Sequence, residues 1–348
     1  MDVTVHEKNS DGTLKELHSP SGGPWGGTYV DENFIKWLTE LFGEVTMKQF
    51  KEDSMDDFID LLREFEMKKR KVCSDSQDPI VFKLSLSLLD CHKESRDEHI
   101  AGRIARMNLS EDIKIKKDKL HVSADIVRSW FKEPIDNTVS HIMAILLEPA
   151  MKDVGTVLLL GGFGECQLAQ EAIRNAVGSR TVLIPAEAGL AVLKGAVHFG
   201  HQPRLVTSRC MQYTYGFGRS RPFDSCKHPK ENMTVNSYGE KTILRCFESV
   251  IKQGMSVETG EVIKIEDFYM PRKGNAKLKI FASTEQDPEY ITDPSCRLVG
   301  TVDAGCAQGE TKEENMVNIY FTFGDTELRV SVEILKTGEV LTEIIDCL

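Results

Sequence analysis

Val157-Leu-Leu-Leu-Gly-Gly-Phe-Gly-Glu-Cys-Gln-Leu-Ala-Gln-Glu-Ala-Ile173 and Thr181-Val-Leu-Ile-Pro-Ala-Glu-Ala-Gly-Leu-Ala-Val-Leu-Lys-Gly-Ala-Val197 decide the fold class. Thr156–Leu160 and Thr181–Ile184 are short apolar runs, the pattern of strands buried on both faces. Gly161-Gly162-Phe163-Gly164-Glu165 makes a turn, and a helix runs from about Cys166 to Ala176. Pro185-Ala186-Glu187 leads into a second helix rich in small residues. Strand, glycine turn, helix, strand and helix imply a parallel pair joined by a crossover, hence an α/β protein.

Glycines between a buried strand and a helix let a ligand approach the backbone, and a helix N-terminus presents unpaired N–H groups. The pattern Gly162-x-Gly164-x-x-Gln167 lacks the third glycine of a dinucleotide fingerprint, and no Lys-Ser/Thr of a phosphate loop follows. From these residues alone, a ligand site and a bare tight turn are equally good readings.

Upstream, Val3 and Val5 alternate with polar residues and Asn9-Ser10-Asp11-Gly12 turns a hairpin. The chain opens in mid-pattern, which leads to the expectation that sequence precedes Met1. Gly22-Gly23-Pro24-Trp25-Gly26-Gly27 forms a loop, and Asp31 is placed to cap a helix carrying Phe34, Trp37, Leu38, Leu41 and Phe42. A second helix, starting near Ser54, stacks Phe58, Leu61, Leu62 and Phe65. It ends in Lys68-Lys69-Arg70-Lys71, charges that a helix C-terminus favours. Residues 80–122 read as short strands around a charged excursion holding His92, Glu94, Asp97, Glu98 and His99. Such a group could bind metal, but a solvated loop is the simpler reading. Ser123 opens a helical stretch that Pro134 is expected to interrupt.

Between 201 and 230 stand Arg204, Arg209, Arg219, Arg221, Lys227 and Lys230 against one acid, Asp224, with Pro203, Pro222 and Pro229 among them. A basic groove and an interdomain connection both fit, the connection better. From 240 the chain turns to strands: 242–247, 261–266, 277–282 and 297–302 are short runs, Gly324-Asp325 joins two cleanly alternating ones, and a final strand follows Thr337-Gly338. That reads as a small antiparallel sheet or sandwich.

The 348 residues suffice for two domains of about 100–200 residues each. With 41% apolar and 28% charged residues the chain is neither disordered nor fibrous. A net charge of −11 argues against a general nucleic-acid coat. No apolar run is long enough for a membrane span, and the N-terminus carries no secretory pattern. The nine cysteines are odd in number and scattered, as expected of reduced thiols in a cytoplasmic protein.

Taken together, several ordered blocks resemble the actin-like ATPase superfamily, most closely its divergent heat shock 70 kDa protein 12A/12B branch. They are 157–173, 184–197, the opening Asp2-Val-Thr-Val-His-Glu7, Ser21–Thr28 with Val30, Asp31 and Phe34, Leu62–Arg70, and Tyr213-Thr-Tyr-Gly-Phe217. The resemblance implies half of an actin-like ATPase fold. Residues 1–205 would be its lobe II, with an inserted subdomain at about 32–122, and 206–348 a β-rich C-terminal domain.

The resemblance also implies roles. Glu66 and Lys69 would hydrogen-bond a ribose, Arg70 would lie over one adenine face, and Gly161, Gly162 and Gly164 would let the backbone pass the sugar. Asp2 would hold magnesium through water. Phe163-Gly164-Glu165 stands where relatives carry Ser-Thr-Arg, so an arginine stacking on the second adenine face is lost and Phe163 could give apolar cover instead. Ala186 replaces an aspartate of the Pro-Asp-Glu-Ala motif. The family's first phosphate loop would precede Asp2. ATP or ADP is therefore expected to bind this chain weakly or not at all, with Mg2+ only as the nucleotide's companion. Hydrolysis by this chain alone is not expected. The alternative is a nucleotide-independent module in which the β domain takes an unfolded or partner protein, with strands 316–323 and 328–335 as candidate edges.

Overall fold

The structure, a computed structural model, describes all residues except 96–99, 227–229, 231–232, 237–238, 271–274, 307–310, 312, 324–326 and 347–348. Asp97, Glu98, His99, Lys227, Pro229 and the Gly324-Asp325 turn lie outside the described residues. The chain divides into two compact units. One comprises Met1–Val3 and Gly22–His198, the other Thr4–Ser21 and Phe199–Leu348.

The opening hairpin is β1 (Asp2–Lys8) and β2 (Leu14–Gly22). Its turn is closed by Asn9 N–H donating to Thr13 O at 2.8 Å, with Gly12 at φ 90°.

The first unit is mixed α/β. It begins with α1 (Gly27–Phe42), α2 (Glu44–Asp53) and α3 (Met55–Lys69). The first helix thus starts before Asp31, which sits one turn inside it instead of capping it. Next come β3 (Ile80–Lys83), α4 (Leu86–Glu94), α5 (Ile100–Arg106), β4 (Ile113–Lys116) and β5 (Lys119–Val122), the three strands forming a sheet in the order β3-β5-β4. The excursion expected as a loop is therefore largely helical. His92 is buried at 8% exposure, with Nδ1 3.2 Å from Phe42 O and its ring edge-on to Phe42.

Helix α6 (Ala124–Leu146) runs through Pro134 unbroken, where the sequence led us to expect an interruption. A proline leaves the carbonyl four residues earlier without its helical donor. That carbonyl, Trp130 O, accepts instead from Asn33 Nδ2 of α1 at 2.8 Å. The unit closes with β6 (Thr156–Leu158), α7 (Gly161–Gly164), α8 (Gln167–Ala176), β7 (Thr181–Leu183) and α9 (Ala188–His201).

Its main core is aromatic. Phe34 stacks on Phe65 with centroids 4.0 Å apart, and Phe82 and Trp130 close around them. A smaller cluster of Ile142, Leu146, Leu159, Ile173 and Val177 packs against Val157 and Val182. β6 and β7 pair in parallel, Val157 opposite Val182. The two strands were expected to be buried on both faces and are not. Val157 and Val182 face the cluster, whereas Leu158 and Leu183 are exposed. Among the described residues the ladder holds two strands, and helices cover one side only.

The second unit is all β beyond the end of α9. It contains β8 (Val206–Cys210), β9 (Thr214–Pro222), β10 (Met233–Val235), β11 (Lys241–Ile251), β12 (Ser256–Glu258), β13 (Val262–Tyr269), β14 (Asn275–Ser283), β15 (Cys296–Cys306), β16 (Met316–Phe323), β17 (Glu327–Ile334) and β18 (Glu339–Asp346). The basic stretch read as a connection thus contains β8 and β9, and its Arg219 and Arg221 pair with Glu248 of β11. Two antiparallel sheets, ordered β10-β11-β9-β14-β15 and β13-β16-β17-β18, share a core around Phe217, Ile280, Phe321 and Val330. Within the second sheet, β16 lies between β13 and β17, and β17 between β16 and β18. Strands 316–323 and 328–335, expected as peptide-accepting edges, are therefore hydrogen-bonded on both sides. β13 and β18 are the outer strands.

Candidate functional site

Glu66, Lys69 and Arg70 close α3 at positions i, i+3 and i+4, which share one helix face. The aromatic core fixes that face, because Phe65 beside them is buried at 1% exposure. Lys69 is the hub. Its Nζ lies 2.6 Å from Asp31 Oδ1, 2.6 Å from Glu66 Oε2 and 3.2 Å from Gly27 O, and the side chain is 10% exposed. An ammonium has three donors, and all three are engaged. Arg70 Nε donates to Glu66 Oε1 at 2.7 Å, leaving its terminal nitrogens available.

The electrostatics follow. Glu66 is held below the usual carboxylate range, first by the hydrogen bond from Lys69 and then by that from Arg70. Burial pushes Asp31 up, and Lys69 only partly offsets this. The Arg70 guanidinium is held above its ordinary value by Glu66.

The opposing wall is the connection from β6 to α8. Gly161, at φ 79°, adopts a left-handed conformation that a side chain would strain, and it starts the short helical turn α7. Glu165 follows that turn. Its Oε1 accepts from Gly189 N at 2.9 Å, at the start of α9, and a Cβ on Gly189 would come within 2.9 Å of that oxygen. Its Oε2 lies 3.8 Å from Arg70 Nη1. The two walls enclose a cavity of about 350 Å³, within the range of small-molecule sites.

Of the residues singled out in the sequence, Glu66, Lys69, Arg70, Gly162, Phe163 and Glu165 all line this cavity. Gly161 and Gly164 shape the bend without lining it, and Asp2, in β1, lies outside the lining. Among the described residues no three His, Cys, Asp or Glu groups are placed to hold a metal ion. The residues present fit a flat heterocycle with a hydroxylated sugar: the ring of Phe163, a guanidinium, and the carboxylates of Asp31, Glu66 and Glu165.

Sequence reasoning missed Gly27, Thr28, Asp31, Phe131 and Cys166 as lining residues. Asp31 is read there as a helix cap. The available signal was the block from Ser21 to Phe34, which the resemblance matches to the family without assigning it a role. Cys166 is half-buried in the wall, and desolvation raises its thiol pKa above the ordinary value.

A mixed α/β unit with a small-molecule-sized cavity, followed along the chain by a β-rich unit, is the architecture expected of an actin-like ATPase lobe with a C-terminal β domain. Comparison with curated proteins narrows the class. Along its whole length the chain is 31% identical to heat shock 70 kDa protein 12A of Mus musculus and 31% to that of Homo sapiens. It is 30% identical to heat shock 70 kDa protein 12B of Homo sapiens. The chain thus resembles the 12A/12B branch of the heat shock 70 kDa family, and it spans 52% of the length of these relatives. No family model matches it.

Proposed function

We propose that the cavity binds the nucleoside part of an adenine nucleotide, ATP or ADP, and that the chain is a heat shock 70 kDa-like protein with a chaperone-related role. Arg70 lies over one face of the base. Phe163 covers the other, replacing the arginine of related sequences. Glu66 accepts from the ribose hydroxyls, while Lys69, saturated by Asp31, Glu66 and Gly27, sets the position of both carboxylates. The reading rests on one observation. The end of α3 and the bend before α8 are far apart in sequence, yet they meet around a single cavity with Arg70 facing the bend.

The test is calorimetry with ADP. The wild-type chain is expected to bind weakly, and Arg70→Ala to weaken that binding by at least about tenfold more, from loss of a cation–π contact worth about 0.5–2 kcal/mol together with the guanidinium's hydrogen bonds. An isotherm unchanged by the substitution rejects the pocket.

A protein partner would be met by the β-rich unit. The outer strands of its second sheet are β13 and β18, and the inner pair is hydrogen-bonded on both sides. No helix among the described residues is long and apolar enough to cross a membrane.

A further inference from the structure

Glu165 carries a carboxylate oxygen with no protein donor. Oε1 is taken by Gly189 N, whereas Oε2 accepts no hydrogen bond among the described residues and stands 3.8 Å from Arg70 Nη1, beyond hydrogen-bond reach. On the facing wall Glu66 accepts from Lys69 and Arg70, and Asp31 accepts from Lys69 through Oδ1. Three carboxylates thus face two cations, and on the wall of the bend Glu165 Oε2 stands as a free acceptor. The flat groups that the two walls present, the ring of Phe163 and the Arg70 guanidinium, suit the faces of a heterocycle. Glu165, on the same bend as Phe163, offers a free acceptor to its edge.

We infer that Glu165 is a specificity-determining residue that selects a heterocycle presenting an exocyclic amine and rejects one presenting a carbonyl at that edge. The inference rests on the nucleoside reading of the cavity. An ionised carboxylate can only accept. An amino group on the ring donates to it. A ring carbonyl would bring a second acceptor against it and leave both unpaired, which is the strongest form of rejection a polar site offers. A 6-aminopurine nucleoside is therefore preferred to the 6-oxopurine otherwise identical to it.

The experiment compares adenosine and inosine binding to the 348-residue chain by calorimetry, in wild type, Glu165→Gln and Arg70→Ala. Glutamine keeps an oxygen for Gly189 N–H and puts an amide donor in place of the free oxygen, so its thermal midpoint should match wild type. Wild type is expected to prefer adenosine by about tenfold, as for loss of one hydrogen bond to a charged group. Glu165→Gln is expected to bring the two nucleosides to parity or invert them. Equal binding of both by wild type, with Arg70→Ala still abolishing it, overturns the role of Glu165 and leaves the cavity reading standing. An adenosine preference that survives Glu165→Gln overturns it as well. Absence of binding by either nucleoside overturns both readings.

Discussion

Behind Glu66, Lys69 and Arg70 stand Phe34, Phe65, Phe82 and Trp130, packed ring against ring and sealed from solvent. Behind Gly162, Phe163 and Glu165 stands a two-stranded parallel ladder with one bare face, followed by α9, of which only Ala188 is buried. The second wall leans on the aromatic core through Phe163, Cys166, Leu168, Ala169 and Ala172. Glu66, Lys69 and Arg70 are thus mounted on the well-packed part of the unit. The bend opposite them is mounted on the less covered part. Local opening is cheapest where few apolar contacts must break, so of the two walls the bend is the one expected to open more readily.

The sharpest way to break this contrast is to empty the first wall. Phe65→Ala removes a ring at 1% exposure that stacks on Phe34 and lies 5.8 Å beneath Lys69 Nζ. Large-to-small aromatic changes in cores cost about 3–5 kcal/mol. All three tryptophans, Trp25, Trp37 and Trp130, belong to the first unit, so urea unfolding followed by their fluorescence reports on that unit. A loss below about 1 kcal/mol, typical of a surface change, would show that the rings are not the main support of the α3 face.

A smaller effect separates the two carboxylates held by Lys69. Glu66 takes up its proton at lower pH in the folded chain than in the unfolded one. Its stabilising contribution is complete above the unfolded carboxyl pKa, about 4.3, and disappears as pH falls through the folded value. Asp31 has the opposite sign. Its folded pKa is raised, so acidification through that value stabilises the unit. Glu66→Gln is therefore expected to flatten the acid limb of the stability curve by about 0.5–1 kcal/mol, after screening at a half-exposed side chain. Tryptophan-monitored unfolding from neutral pH down to about pH 3 checks this, since that range brackets the ordinary carboxyl pKa values. An acid limb as steep as wild type would mean that Glu66 is not held by Lys69 and Arg70 in solution.

Much of the scaffold was legible because periodicity is a local property. Phe34, Trp37, Leu38, Leu41 and Phe42 mark the buried stripe of α1, and the alternation through 317–334 marks β16 and β17. What escaped is set across space. Pro134 stays helical because Asn33, on another helix, takes the carbonyl it frees. His92 is buried because Phe42 is there to receive it. β16 and β17 are interior because β13 and β18 flank them, and no alternation pattern tells an inner strand from an outer one. The resemblance pointed to Glu66, Lys69, Arg70 and the bend. The engagement of Lys69 by Asp31 needed coordinates.

The smallest expected effect tests the second wall by leaving it standing. Leu158 is 58% exposed and Leu193 64%. If the bare face of the ladder and α9 is open to water, Leu158→Ser and Leu193→Ser remove apolar surface already solvated, and each should shift stability by no more than about 0.5 kcal/mol. Binding of an apolar dye should fall with them, because contiguous exposed leucines are what such a dye reads. Ile173→Ser, on the covered side of the same ladder at 4% exposure, is the contrast and should be strongly destabilising. Equal losses at Leu158 and Ile173 would mean that the ladder is covered on both faces in solution. The bend would then be as firmly mounted as α3, and entry of a ligand would have to come from elsewhere in the cavity rim.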